Sequence, residues 1–225
     1  ISLLGGAGTV PSAPLHRQFE RALEDPLTRG VLLDLRGVAG MAQLEELRPR
    51  IEALRRAGKP VLAYLEYGGG RGDLYLARAA DRVVASEEAF FAALGLRAER
   101  RYYKQFLAGL GVRMDRSSIG QYKSAYRNYS VDSTPAADSV VIGAALDTLQ
   151  SLFVRTVAAG RRMDPAALTR YLDGRPWTSA ELAEAGVLDS VGYREDARRM
   201  LGRLAGLGEK PRMMNLRRAP AARRV

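Results

Sequence analysis

The stretch KPVLAYLEYGGGRGDLYLARAADRVVAS, residues 59–86, decides the fold class. It begins with a short apolar run typical of a buried strand and continues through a glycine-rich turn into a helical pattern over 72–81. A second apolar run, 81–86, ends it. A strand, a helix and a strand in this order imply a right-handed crossover between parallel strands. The stretch therefore predicts a βαβ unit of an α/β protein.

The same alternation continues on both sides of this unit. Upstream, the apolar run 30–37 predicts a strand, and 41–58 predicts a helix that ends at Gly58. Downstream, we predict a helix over 97–111 and a fourth strand over 112–120. The predicted architecture is an α/β layered fold with a mostly parallel sheet flanked by helices.

The C-terminal portion is predicted to be mainly helical. Its longest helix covers 134–162, with Thr134 as the N-cap and Pro135 at the first helical position. The other predicted elements are helices over 163–174, 177–186 and 193–206 and a short strand in VLDSVG, 187–192. We assign residues 1–208 to one domain and the Arg-, Pro- and Ala-rich residues 209–225 to a basic linker or tail.

Composition excludes several kinds of site. The 225 residues include no cysteine and one histidine, His16, so thiolate nucleophiles and multi-histidine metal sites are excluded. His16 begins an amphipathic helical pattern and is expected to be a surface residue rather than a triad base. No metal or cofactor is predicted. The net charge of +10 is concentrated in the tail, which is better explained as a linker than as a nucleic-acid contact, so no nucleic acid is predicted. No uninterrupted apolar run reaches ~20 residues, so no membrane span is predicted.

Two segments are candidates for chemistry. The turn YGGGRGD, 67–73, exposes backbone N–H groups at a helix start, which suits an oxyanion or a phosphate, although a flexible tight turn explains the pattern better. The segment SSIGQYKSAYRNY, 117–129, contains Lys123, one of four lysines in a chain whose other 31 basic residues are arginine (35 minus 4). A lysine shielded by apolar neighbours has a lowered pKa and can take a proton from serine, which arginine cannot do. The alternative is a surface lysine in a loop.

These segments resemble the signal peptide peptidase A (protease IV) family. The matching pieces, in order, are DPLTRGVLLDLRG, RRAGKPVLAYLE, YLARAADRVVAS, RRYYKQFLAGLGVRMDRSSIGQYKSA and TPAADS, within residues 15–195. The resemblance implies a ClpP/crotonase-like fold and a Ser-Lys peptidase in which Lys123 is the general base. It also implies a membrane-anchored enzyme with its active site outside the cytoplasm, assembled as a ring of subunits.

The chain departs from the family at three places. Arg71 stands where the family has its nucleophilic serine, and residues 92–95 read Ala-Ala-Leu-Gly where a Gly-Ser segment is expected. The Pro-Gly-Gly turn that helps form the oxyanion hole is replaced by residues 36–40, Arg-Gly-Val-Ala-Gly. The long form of the family is a tandem duplication whose first half supplies the lysine. We therefore expect this chain to correspond to the first half, with the serine supplied by a second half.

Three functional hypotheses follow from this resemblance. The leading one is a serine endopeptidase of the Ser-Lys type acting on cleaved signal peptides or other apolar peptides. Its expected partners are the peptide substrate, a serine-bearing half or chain, and further copies of itself, with membrane association through a segment outside this sequence. The second hypothesis is a non-catalytic crotonase-like assembly or scaffold protein. The third is an enzyme that uses a local serine, for which the candidates are Ser117, Ser118, Ser124, Ser130 and Ser133. An acyl-CoA activity ranks last.

Overall fold

A computed structural model of the chain describes residues 2–4, 12–37, 40–92, 95–115, 117, 119–161, 164–172 and 175–216. The strands are β1 (Ser2–Leu4), β2 (Val31–Arg36), β3 (Val61–Leu65), β4 (Gly68–Gly69), β5 (Arg82–Ala85), β6 (Phe90–Phe91), β7 (Trp177–Thr178) and β8 (Ser190–Val191). The helices are α1 (Ser12–Glu24), α2 (Met41–Arg56), α3 (Arg71–Ala77), α4 (Lys104–Gly109), α5 (Arg127–Ser130), α6 (Ala136–Arg161), α7 (Pro165–Arg170), α8 (Ser179–Glu184) and α9 (Arg194–Leu204).

The main sheet contains five parallel strands in the order β1-β2-β3-β5-β8. Side chains alternate between its two faces. On one face, residues such as Leu33 and Ala63 pack in the larger core with α1, α2 and α3. On the other face, Leu32 and Leu62 pack against α9. Burial on both faces explains the uninterrupted apolar runs, and the predicted mostly parallel α/β fold is confirmed.

A second, three-stranded sheet of two-residue strands has the order β4-β6-β7. It lies beside the glycine-rich turn. Gly68 has a φ of 91°, and a Cβ atom there would lie 1.9 Å from the carbonyl oxygen of Phe90. Only glycine allows β4 and β6 to pair at this position. Trp177 of β7 is buried beneath the Arg175 guanidinium and against the Tyr171 ring.

The chain divides into two compact units. Unit 1 contains residues 1–94 and 153–225, and unit 2 contains residues 95–152. Helix α6 begins in unit 2 and ends in unit 1, where Phe153 and Val157 are buried in the larger core. The long helix predicted over 134–162 is thus confirmed, with its first residue at Ala136.

Unit 2 differs most from the sequence prediction. The helix predicted over 97–111 begins only at Lys104. The strand predicted over 112–120 is wrong, since the described residues of this segment are in bends, turns or irregular structure. A strand needs a neighbour for its backbone hydrogen bonds, and no described residue of unit 2 is in a strand. The segment is exposed to solvent instead, as its Arg, Asp and Ser content allows.

Helix α6 also corrects the expectation about membrane spans. Residues 136–160 are long enough and, with a mean hydropathy of 1.4, apolar enough to cross a membrane by length and composition alone. The expectation missed this segment because it required an uninterrupted apolar run, and Asp138, Asp147 and Arg155 interrupt this one. The end of the helix, however, is apolar because it packs in the core of unit 1.

The start of the predicted tail packs on unit 1. A Cβ atom at Gly202 would lie 2.1 Å from the Gly208 carbonyl oxygen and 2.9 Å from Pro211 Cδ, so the segment crosses α9 at a position that only glycine permits. Leu216 is buried in the larger core. A domain boundary after residue 208 stays a prediction.

Candidate active site

The glycine-rich turn leads into α3, as predicted, and the amide of Gly70 at its end already donates to a side chain of the protein. Asp73, the third residue of α3, is 3% exposed. Its Oδ2 accepts a hydrogen bond from the Gly70 N–H at 3.0 Å. Its Oδ1 accepts one from the Gly37 N–H at 2.9 Å, which comes from the loop after β2. Amides from the loop after β2 and from the glycine-rich turn therefore converge on the protein's own carboxylate.

Arg71, which the resemblance places at the position of the serine, is the first residue of α3. Its guanidinium carbon lies 4.1 Å from the centre of the Phe153 ring. Loss of solvation in this half-buried environment lowers the pKa of Arg71. The side chain therefore packs against an aromatic ring and has no nucleophilic atom. Of the other two departures, Ala93 and Leu94 and also Val38 and Ala39 lie outside the described residues.

Lys123 lies in unit 2, in a turn that follows Gly120, whose φ is 89°. The lysine is exposed, and its ammonium group makes no hydrogen bond or ion pair with another residue in the described part of the chain. Its neighbours Ile119 and Tyr122 are 93% and 59% exposed. The expected apolar shielding is therefore not supplied by these neighbours, and the general-base role of Lys123 stays a prediction.

A buried ion pair holds the backbone of residues 121–124, which we call the lysine turn. Arg127 donates through Nη2 to the carbonyl oxygen of Gln121 and through Nη1 to Oδ1 of Asp138. Asp138 Oδ2 also accepts from Arg100 Nη1 at 2.9 Å, and the Arg127 N–H donates to the Ser124 carbonyl at 3.0 Å. Backbone carbonyls on both sides of Lys123 are thus tied to one buried arginine.

Sequence reasoning missed Arg127 and Asp138. Both side chains are almost fully buried, at 7% and 3% exposure. The available signal was the Asp of TPAADS, which falls in the first turn of α6, where a carboxylate is favoured by the helix dipole. Its partner Arg127 is one of many arginines, so nothing in the sequence marks the pair.

Two serines and two tyrosines beside Lys123 in the sequence could orient or shield its ammonium group. Ser124 is partly buried and makes no hydrogen bond with Lys123. Tyr126 is partly buried, whereas Tyr122 is exposed. Ser118 lies outside the described residues.

The fold defines the class of protein. The structure resembles that of an enoyl-CoA hydratase/isomerase family protein from Silicibacter pomeroyi, with a TM-score of 0.52 and 17% identity over 96% of this chain and 81% of that one. It also resembles a membrane-bound stomatin-specific protease, with a TM-score of 0.51 and 14% identity over 88% and 82% of the two chains. These likenesses confirm the crotonase-like fold.

The sequence defines the family. Residues 53–208 match the sequence profile of Peptidase family S49, and the chain belongs to that family. It is 26% identical over 182 residues to a protein bearing the name signal peptide peptidase SppA in Enterococcus faecium, covering 80% of this chain and 52% of that protein. It is 24% identical over 212 residues to Protease 4 of Salmonella typhi, covering 89% and 32%. The chain therefore spans about half the length of the first of these relatives and about a third of the second.

Proposed function

We propose that this chain is the lysine-bearing half of a serine endopeptidase of the Ser-Lys type, and that a second half or chain supplies the serine. One contrast carries the proposal. The family's serine slot holds Arg71, and the adjacent amides are bound to Asp73, whereas Lys123 faces solvent on a turn held by a buried ion pair. Membership of Peptidase family S49 supports hydrolysis of peptide bonds as the reaction.

The proposed chemistry uses the amine of Lys123 as a base. The neutral amine takes the proton of the serine hydroxyl while the serine oxygen attacks the peptide carbonyl carbon. The tetrahedral intermediate then collapses, the carbon–nitrogen bond breaks, and the lysine ammonium gives its proton to the leaving amine. A water molecule next loses a proton to Lys123 and attacks the acyl-enzyme, which releases the acid and the serine hydroxyl. Before reaction the lysine must be neutral, so docking of the second half would have to remove water from around it.

The proposed substrates are extended apolar peptides such as cleaved signal peptides, bound by strand addition. We further propose a homo-oligomeric enzyme at the cell membrane, with its active site on the extracytoplasmic side. Membrane attachment would come from a segment outside this sequence. Relatives with protease names and the resemblance described above support these assignments.

The test replaces Lys123 in the complete enzyme, meaning this chain together with the polypeptide that carries the serine. We expect Lys123→Ala to lower kcat by about 10²–10⁴-fold, the usual contribution of a general base. Lys123→Arg should be equally inactive because guanidinium stays protonated. Peptide turnover and labelling of the serine by a fluorophosphonate are the two readouts.

Lys104→Ala is the matched control. Lys104 lies in the same unit, and its ammonium pairs with Asp132 at 2.7 Å on an exposed surface, so its loss should leave turnover and labelling unchanged. Full turnover by Lys123→Ala, with the same stability as the parent protein, would refute the proposed base.

One observation favours the second hypothesis, a non-catalytic scaffold. Arg71 and Asp73 fill the family's serine and oxyanion positions with packed, hydrogen-bonded side chains. A native preparation in which no polypeptide that co-purifies with this chain reacts with a fluorophosphonate would favour the scaffold. A labelled partner whose reactivity depends on Lys123 would favour the peptidase.

A further inference from the structure

A cavity of about 580 Å³ lies in unit 1, far along the chain from both Arg71 and Lys123. It is bounded by the loop that leads into β2, the end of α9 and the segment that follows α9. Its volume falls within the range of small-molecule sites. No part of the proposed peptidase chemistry uses it.

The cavity is lined by both buried and exposed apolar side chains. Leu32 and Leu201 are 8% and 3% exposed and contribute buried surface. Leu27, Leu207 and Met214 also line it and are 86%, 46% and 56% exposed. An apolar ligand would remove this apolar lining from water, which favours the bound state.

The charged groups around this apolar lining are mostly positive. Arg29, Lys210 and Arg212 contribute to it, and none of them pairs with a carboxylate in the part of the chain that the structure describes. The acid in the lining is Asp25. Its Oδ1 accepts from the Leu27 N–H and its Oδ2 from the Thr28 hydroxyl, both at 2.9 Å, so both of its oxygens already have local donors. Three cations beside an apolar cavity complement an anionic head group joined to an apolar chain.

The chain's own C-terminal sequence does not match this cavity. Residues 217–225 read RRAPAARRV, with four arginines and no acid. Like charges would oppose their entry beside Arg29, Lys210 and Arg212. Residues 217–225 are therefore not the complementary occupant of this cavity.

We propose that this cavity binds a single-chain anionic amphiphile of the fatty-acid class. The apolar chain lies against Leu32, Leu201 and Met214. The carboxylate is bound by Arg29, Lys210 and Arg212. The site is independent of the proposed peptidase function and does not require the second half.

The test measures displacement of a fluorescent fatty acid, dansylaminoundecanoic acid, from the chain. Laurate should displace it, and dodecanol, which has the same chain without charge, should bind at least about tenfold more weakly. Leu207→Glu should weaken laurate binding at least about tenfold by placing a negative charge in the lining. Arg212→Gln should weaken it in the same direction, and added salt should weaken it further.

Two matched controls separate the site from general charge effects. Leu204→Glu introduces the same charge on a 42% exposed residue of α9 outside the lining, and Arg56→Gln removes an exposed charge from α2. Neither should change the affinity for laurate. Equal affinity for laurate and dodecanol would overturn the proposal. So would equal losses in Leu204→Glu and Leu207→Glu, or binding only to vesicles that contain anionic phospholipid.

Discussion

At the scale of single residues, Asp73 is the most informative side chain. One buried carboxylate joins the loop after β2 to the turn before α3 through two backbone N–H groups. An oxyanion hole needs backbone N–H groups that are free to bind a developing negative charge, whereas here Asp73 accepts from both of these groups. The arrangement is stabilising and, for the same reason, unsuited to transition-state binding at this position.

Removing this carboxylate should be costly. We expect Asp73→Ala to lower the free energy of unfolding by about 2–4 kcal/mol, because two partly buried backbone N–H groups lose their acceptor. Asp73→Asn keeps one acceptor oxygen and should lose about half as much. Urea unfolding measures both, and an alanine variant as stable as the parent would contradict the assigned role.

Glu181 makes the stability of the folded chain depend on pH. Its carboxylate accepts hydrogen bonds from the Thr178 N–H at 2.8 Å and from the Thr178 hydroxyl at 3.0 Å, with Arg175 nearby. These contacts, the backbone bond first, lower the pKa of Glu181. The folded-state pKa is lowered, so the stabilisation is present above the unfolded pKa of about 4.3 and is lost as pH falls through the folded value.

Glu181→Gln should therefore be less stable than the parent at about pH 7, and this difference should become smaller as the pH falls to about 3, below the unfolded pKa of about 4.3. Urea unfolding at the two pH values measures this difference. Glu184→Gln, an exposed neighbour on the same helix, should match the parent at both. A loss that is the same at both pH values would show that the charge of Glu181 does not matter.

At the scale of elements, the lysine turn depends on how α6 begins. Asp138 in the first turn of α6 pairs with Arg127, and both are buried. We expect Asp138→Asn to lower the stability of unit 2 by about 3–5 kcal/mol, since it leaves the buried guanidinium group of Arg127 without its anion. Loss of helical circular dichroism in urea is the measurement.

The exposed pair between Lys104 and Asp132 provides the comparison. Its side chains are 50% and 42% exposed, and Lys104→Ala should cost less than about 1 kcal/mol. Similar losses in Asp138→Asn and Lys104→Ala would show that burial of the Arg127 pair adds nothing to stability.

Which elements could be predicted follows from what stabilises them. Strands β2 and β3 are buried on both faces, so their apolar runs carry a signal that needs no knowledge of partners. The two-residue strands β4, β6 and β7 are set by pairing between distant parts of the chain, which no local pattern records. The prediction of a strand over 112–120 was wrong because no described residue of unit 2 forms a strand with which it could pair.

In the candidate site, too, local sequence signals could be read, whereas long-range contacts could not. Lys123 stood out because lysine is scarce in this chain, and Arg71 because the family has serine there. Arg127, Asp138 and Asp73 are common residue types whose importance comes from burial and from contacts over long sequence separations. Such contacts exist only in the folded chain and leave no local pattern in the sequence.

At the scale of the whole molecule, the residues discussed above lie in two compact units. Arg71 and the cavity beside the end of α9 belong to unit 1, and Lys123 belongs to unit 2. The two have different kinds of stabilisation. Unit 1 is built around a parallel sheet with a large apolar core, whereas the lysine turn in unit 2 depends on a buried ion pair. Unit 2 should therefore be the more sensitive to substitutions that remove charge.

The placement of Trp177 has a practical consequence. It is the chain's single tryptophan and lies in unit 1, stacked under Arg175 and against Tyr171. Unit 2 contains tyrosines, among them the stacked pair Tyr103 and Tyr129. Emission excited at long ultraviolet wavelength therefore reports on unit 1 alone, while circular dichroism follows the helices of both units. The chain carries its own spectroscopic label, and the melting of its two units can be followed separately without attaching a dye.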